Sequence, residues 1–200
     1  MIKVIKNKEN KEYKKMKKNN KSNWQVISSS KVHSGVIFDT YQDQISINDR
    51  AKKEWSYIKV QPGVCILPID VRDNIYLVKE YRYPIKSYNF GLIGGGIEKQ
   101  ETPLEAAKRE LKEEAGIVAK DFIDLGKMTI APSCEEHYNT HFLARDLSFT
   151  ENDLESDEDI QLFSIPLLEA IKWVEENKIV DVEAVSLIYR AKSFLDKNNR

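Results

Sequence analysis

From residue 24 onward, apolar and polar residues alternate in short runs: WQVISSSKV, GVIFDTYQ, QISI and EWSYIKV. Runs of period two, punctuated by Ser, Gly and Asn-Asp, predict a small antiparallel β unit over residues 24–57. Gly63 opens a second organisation. VCILPI and IYLVKEYRY read as strands linked by the turn Val71-Arg72-Asp73-Asn74, and residues 90–96 lead toward a helix. That helix has both ends marked: Thr102 as N-cap, Pro103 at the first helical position, Glu105 able to return the capping hydrogen bond, and Gly116 as the stop. It is predicted over residues 103–115. Beyond it, FIDLGKMTIA and NTHFLAR read as strands flanking a loop at 132–138, residues 153–159 as an acidic loop, and IQLFSI as a last strand. Two helices close the pattern. One begins near Pro166, with Leu167, Leu168, Ile171 and Val174 apolar; the other is capped by Asp181 and carries Val182, Val185, Ile188, Tyr189 and Leu195. Strands and helices mixed in this order predict a sheet layered between helices.

Composition adds boundaries. Two hundred residues at 41% hydrophobic content suffice for one well-buried domain and a small appendage. The longest apolar runs fall far short of the roughly 20 residues needed to cross a bilayer. The first 20 residues are rich in lysine and asparagine and lack an apolar signal core, so no membrane partner and a cytoplasmic location are expected. Residues 1–22 hold nine lysines and two glutamates, +7, which leaves −8 of the net −1 for the rest. The expected division is therefore a basic, disordered tail at 1–23, the β unit at 24–57 and the main domain at 58–200. An acidic body gives no footprint for nucleic acid. Cys65 and Cys134 form neither a disulfide framework nor a zinc spacing and read as ordinary thiols; His33, His137 and His141 are assigned no role.

The chemistry lies on the central helix. At 3.6 residues per turn, Glu110, Glu113 and Glu114 share one side, beside an apolar stripe of Leu104, Ala107 and Leu111. Like charges at these spacings repel, and Lys108 and Lys112 lie largely opposite. Arg109 reaches Glu113 at i+4 and relieves part of the repulsion. A hard divalent cation relieves the rest, and Mg²⁺ prefers such carboxylate oxygens while bridging to phosphate.

Gly95, Glu101, Arg109, Glu110, Leu111, Glu113, Glu114, Gly116 and Ile117 fit G-x5-E-x7-R-E-U-x-E-E-x-G-U, with U aliphatic, and this pattern resembles the Nudix box. The resemblance implies an α/β (α+β) fold: a Nudix α/β/α sandwich with a mixed sheet over about residues 58–197, preceded by the small antiparallel β unit, which is similar in placement to that of ADP-ribose pyrophosphatases. It implies Mg²⁺, or Mn²⁺ in substitution, held by Glu110 and Glu114, with Glu113 as a further or water-mediated ligand and the Gly94 carbonyl as a backbone ligand. Arg109 would orient the glutamates and Glu101 would hold the loop. The segment Ala131-Pro132-Ser133-Cys134-Glu135-Glu136-His137 resembles a loop with a catalytic glutamate, which falls on Glu136, with Glu135 as the alternative. KEYRYP is similar to the subgroup's V-x-Q-Y-R-x-P, where Arg82 takes the position of an arginine that meets substrate phosphate through its planar fork. Pro132, sixteen positions after Gly116, has a spacing similar to that subgroup's marker proline.

The chain also departs from the family. Gly91-Leu92-Ile93-Gly94-Gly95 stands where E-L-P-A-G is usual, and three consecutive glycines predict a more flexible loop. The implied reaction is hydrolysis of ADP-ribose to AMP and ribose 5-phosphate by a homodimer. The alternatives are another nucleotide sugar such as GDP-mannose, or a Nudix module that binds nucleotide without cleaving it.

Overall fold

The computed structural model describes residues 5–6, 23–48, 51–151 and 160–198. Most of the lysine-rich tail and all of the acidic loop at 153–159 lie outside the described residues. Among the described residues, eleven strands and three α-helices follow one another: β1 (Ile5–Lys6), β2 (Trp24–Ser34), β3 (Phe38–Ile47), β4 (Ala51–Val60), β5 (Gly63–Pro68), β6 (Asn74–Arg82), β7 (Ser87–Gly91), α1 (Pro103–Ala115), β8 (Ile117–Met128), β9 (Glu135–Glu136), β10 (Asn139–Phe149), β11 (Ile160–Pro166), α2 (Leu167–Glu175) and α3 (Val182–Asn198). The chain divides into two compact units. One takes in Met1–Lys6, Pro62–Met128 and Asn139–Arg200; the other takes in Asn7–Gln61 and Thr129–Tyr138.

The first unit contains a mixed four-stranded sheet in the order β1-β8-β10-β5 and an antiparallel sheet in the order β11-β6-β7. β5 runs parallel to β10, and β10 antiparallel to β8. Every residue of β5 is buried, and successive residues face opposite sides. Val64 and Ile66 pack in one cluster with Ala107, Leu111 and Ala115 of α1, while Cys65 and Leu67 pack in another with Leu167 of α2 and Ala184, Leu187 and Ile188 of α3. A sheet with helices on both faces is the α/β/α arrangement expected. Leu111, fully buried, contributes roughly 2 kcal/mol through its removal from water.

β5 and β6, adjacent in sequence, are not a hairpin. They belong to different sheets and meet at the isolated bridge Ile69↔Ile75. The turn between them is held by Asp70, whose Oδ1 accepts from the amides of Arg72 at 2.8 Å and Asn74 at 2.9 Å. The second unit is a four-stranded sheet in the order β2-β3-β4-β9. The runs GVIFDTYQ and QISI join into the single strand β3, antiparallel to both β2 and β4.

Candidate active site

The end of α1 that starts the site is set by local chemistry. The Thr102 hydroxyl accepts from the Glu105 amide at 3.3 Å, and the Glu105 carboxylate accepts from the Thr102 amide at 2.8 Å, which closes the predicted capping box. The helix stops at Gly116, with φ 60°, a left-handed conformation in which glycine carries no Cβ penalty. Between these ends the carboxylates take their places by helical periodicity alone.

Arg109 gathers them. Its Nε donates to Glu101 Oε1 at 3.0 Å and a terminal nitrogen to Glu101 Oε2 at 3.1 Å, a bidentate grip. The other terminal nitrogen donates to Glu110 at 2.7 Å and to Glu113 at 3.1 Å. A further bond goes to the Gly96 carbonyl at 3.0 Å, so one guanidinium ties the helix to the loop that precedes it. The hydrogen bonds from Arg109 hold the Glu101 carboxyl below its usual range, and the bond to Glu101 is the largest cause that pushes Arg109 up. Glu110 is largely buried, with 12% of its side chain exposed, whereas Glu113 at 42% is open to solvent.

The loop at 94–96, expected to be loosened by its glycines, is fastened at every residue. Gly94 donates to Glu114 at 2.9 Å, Gly95 accepts from Val64 at 2.9 Å, and Gly96 accepts from Arg109. Gly94 has φ 152°, and a Cβ there would lie 2.0 Å from the Val64 carbonyl oxygen. A Cβ on Gly95 would lie 2.5 Å from Glu110 Oε1. The glycines thus let the backbone close over the carboxylates, and the donor set is one of hard oxygens in a cradle that a side chain would fill. It fits a Mg²⁺-type cation.

The remaining predicted residues lie elsewhere. Arg82 ends β6 in the same unit as the box, half exposed, and its guanidinium pairs with Glu80 at 2.9 Å. Glu135 and Glu136 belong to the second unit, where they form β9 and pair in parallel with Ile58 and Lys59. Their side chains are in different settings. Glu135 meets His137 Nδ1 at 3.1 Å with 12% exposed, and Glu136 pairs with Lys59 at 2.8 Å with 46% exposed. The second unit also holds a cleft of about 520 Å³ lined by Trp24, Asp43, Ile45, Trp55, Tyr57 and Glu135. Asp43 is buried, and its Oδ1 has no hydrogen-bond partner among the described residues. Burial, and then the charge of Asp43, push the Tyr57 hydroxyl up.

Residues 59–190 match the NUDIX domain family over most of the chain. The chain belongs to that family. Among relatives of this Nudix protein, the ADP compounds hydrolase NudE of Escherichia coli is 34% identical over 140 residues, covering 69% of this chain and 74% of its own. The ADP-ribose pyrophosphatase of Bacillus subtilis is 27% identical over 166 residues, 82% of this chain and 90% of its own. A crystal structure of an ADP compounds hydrolase superposes with a TM-score of 0.79 at 26% identity, covering 89% of this chain and 97% of that one. Among the described residues, no helix is long and apolar enough to cross a membrane.

Sequence reasoning missed two features of this Nudix domain. The Gly96 carbonyl as an acceptor for Arg109 carries no signal in a side-chain pattern. Cys65 and His141, given no role, lie against Glu183 on α3, a grouping that no local spacing announces.

Proposed function

We propose that this Nudix protein is a Mg²⁺-dependent hydrolase that splits the diphosphate of ADP-ribose, giving AMP and ribose 5-phosphate. The observation that carries the reading is the meeting of Glu114 with Gly94 and of Glu110 with Gly95, with Arg109 bonded to Glu110 and to Glu113 on the same helix. Glu110 and Glu114, with Glu113 and the Gly94 carbonyl, are the residues to hold the ion. When bound, Mg²⁺ supplies neutralisation of the diphosphate and orientation of a water. Arg109 fixes the glutamates in place before substrate arrives. Arg82 offers a guanidinium fork to a phosphate.

Glu136, with Glu135 as the alternative, takes the proton as water adds to phosphorus and the P–O–P bridge breaks. The relatives named for ADP-ribose and ADP compounds argue for the same substrate. The reading extends to a homodimer, since β2 is the edge strand of its sheet and is exposed along all eleven residues, Trp24, Val26, Ile27 and Val32 included. Sedimentation velocity that finds a monomer would remove that part.

The deciding experiment incubates the protein with ADP-ribose, other nucleotide sugars, dinucleotides and nucleoside triphosphates, with and without Mg²⁺. Turnover of ADP-ribose that requires Mg²⁺ and exceeds that of the others is expected. No Mg²⁺-dependent turnover of any of them would sink the enzymatic reading, and preference for a guanosine sugar would change the substrate alone.

A further inference from the structure

β5 presents Val64 and Ile66 toward the box helix and Cys65 toward α3. On the α3 side, His141 of β10 is the register partner of Cys65, and Glu183 stands in the first turn of α3. The Cys65 sulfur, a ring nitrogen of His141 and a carboxylate oxygen of Glu183 all lie within 4.8 Å of one another. His141 is fully buried and Cys65 nearly so, while 15% of the Glu183 side chain reaches solvent.

The His141 Nε2 to Glu183 Oε1 distance is 3.4 Å. It exceeds the roughly 2.7–3.2 Å of a good N–H···O bond. It matches the edge of a tetrahedron whose centre lies about 2.1 Å from each ligand atom. Asn139 donates from Nδ2 to both Glu183 oxygens, at 2.9 and 3.0 Å, and so fixes the carboxylate as hydrogen-bonding neighbours fix metal-ligating carboxylates. The second ring nitrogen of His141, Nδ1, is buried and has no hydrogen-bond partner among the described residues, so the fold commits neither nitrogen strongly to a protein partner.

We infer that Cys65, His141 and Glu183 form a site for a thiophilic divalent cation of the zinc type, separate from the box carboxylates. The donor chemistry separates the two sites. Sulfur and imidazole select zinc-class ions, whereas an all-oxygen set selects Mg²⁺. Burial pushes the Cys65 thiol up, so without a cation it stays protonated and donates to Glu183. On binding, the S–H bond breaks, the proton leaves to solvent and the sulfur bonds the ion. Thiolate and carboxylate together cancel the dipositive charge, which a buried setting requires. Glu183 marks the solvent-facing side by which an ion enters, and three protein ligands leave a fourth position for water.

Cobalt(II) is the probe for the test, added to full-length, chelator-stripped protein in the presence of excess Mg²⁺. One equivalent should give a near-ultraviolet thiolate-to-cobalt band with tetrahedral visible bands, all erased by one equivalent of Zn²⁺. Cys134→Ser, at the exposed thiol, and Glu114→Gln, in the box, should leave the bands in place. Cys65→Ser should abolish them, with native far-ultraviolet circular dichroism. Glu183→Gln should weaken Zn²⁺ binding at least about tenfold, and this result stands should Cys65→Ser not fold. Absent bands in the wild-type protein, bands that follow Cys134 or Glu114, or undiminished Zn²⁺ affinity in Glu183→Gln would overturn the site.

Discussion

Gly94 has a backbone conformation and a contact that no other residue can reproduce: φ 152°, with the Val64 carbonyl oxygen where a Cβ would stand. Gly94→Ala should therefore cost about 3 kcal/mol, through strain and a forced shift of the loop. Its urea midpoint, read beside wild type, checks this, and a shift near zero would mean that the loop relaxes freely. Glu114 accepts from the Gly94 amide and, beside Arg109 at Gly96, joins helix to loop. Glu114→Gln preserves shape and removes charge, so kcat for ADP-ribose should fall about a hundredfold or more while the melting curve stays close to wild type. In the loop, Glu136→Gln should reduce kcat at least about a hundredfold. Should Glu135→Gln be the severe variant instead, the base is the carboxylate that meets His137. Side-chain types at fixed spacing made the box acids and the Arg109–Glu113 pair legible in the sequence. The grip of Arg109 on Glu101 and on the Gly96 carbonyl was not, because loop residues are brought there by tertiary packing.

At the level of elements, α1 was readable to its terminal residues because its stops are local: a hydroxyl, a proline, a returning glutamate and a glycine. Thr102→Ala removes one half of the capping box and should cost about 1 kcal/mol in urea unfolding, with kcat per folded molecule unchanged. A cost near zero would show that Pro103 and Glu105 start the helix unaided. β3 was harder to read. Asp43 lies on the buried face two residues before Ile45, and a polar residue at an inward position splits one strand into two runs. β9 has two residues, too few for any period to register. The pairing of β5 and β6 with other strands instead of each other was likewise invisible, since the turn at Asp70 is local and the partners are not.

Over the whole molecule, the segment Thr129–Tyr138 groups with the N-terminal strands although it arises within the main domain, a non-local choice made by β4 and β9. The charge network has a global consequence too. Arg109 holds Glu101 below the usual carboxylate range; at Glu183, burial acts upward, but the hydrogen bonds from His141 and Asn139 outweigh it and leave the group lowered. A lowered carboxylate stabilises the fold above its unfolded value, about 4.3, and that contribution is lost as pH falls through the folded value. The urea midpoint should be level from about pH 7 to 5 and drop below about pH 4. A midpoint unchanged at about pH 3.5 would show that these carboxylates do not couple to folding.

β5 carries one further consequence. Val64, whose carbonyl meets Gly94, and Cys65, of the trio with His141 and Glu183, are consecutive residues on one strand with opposite faces. Should an ion on one face shift this strand, thermodynamic linkage would make the effect on the other face reciprocal in binding free energy. If zinc at Cys65 weakens magnesium at the box by some factor, magnesium must weaken zinc by the same factor, so a hard ion and a soft one would be rivals without sharing a ligand.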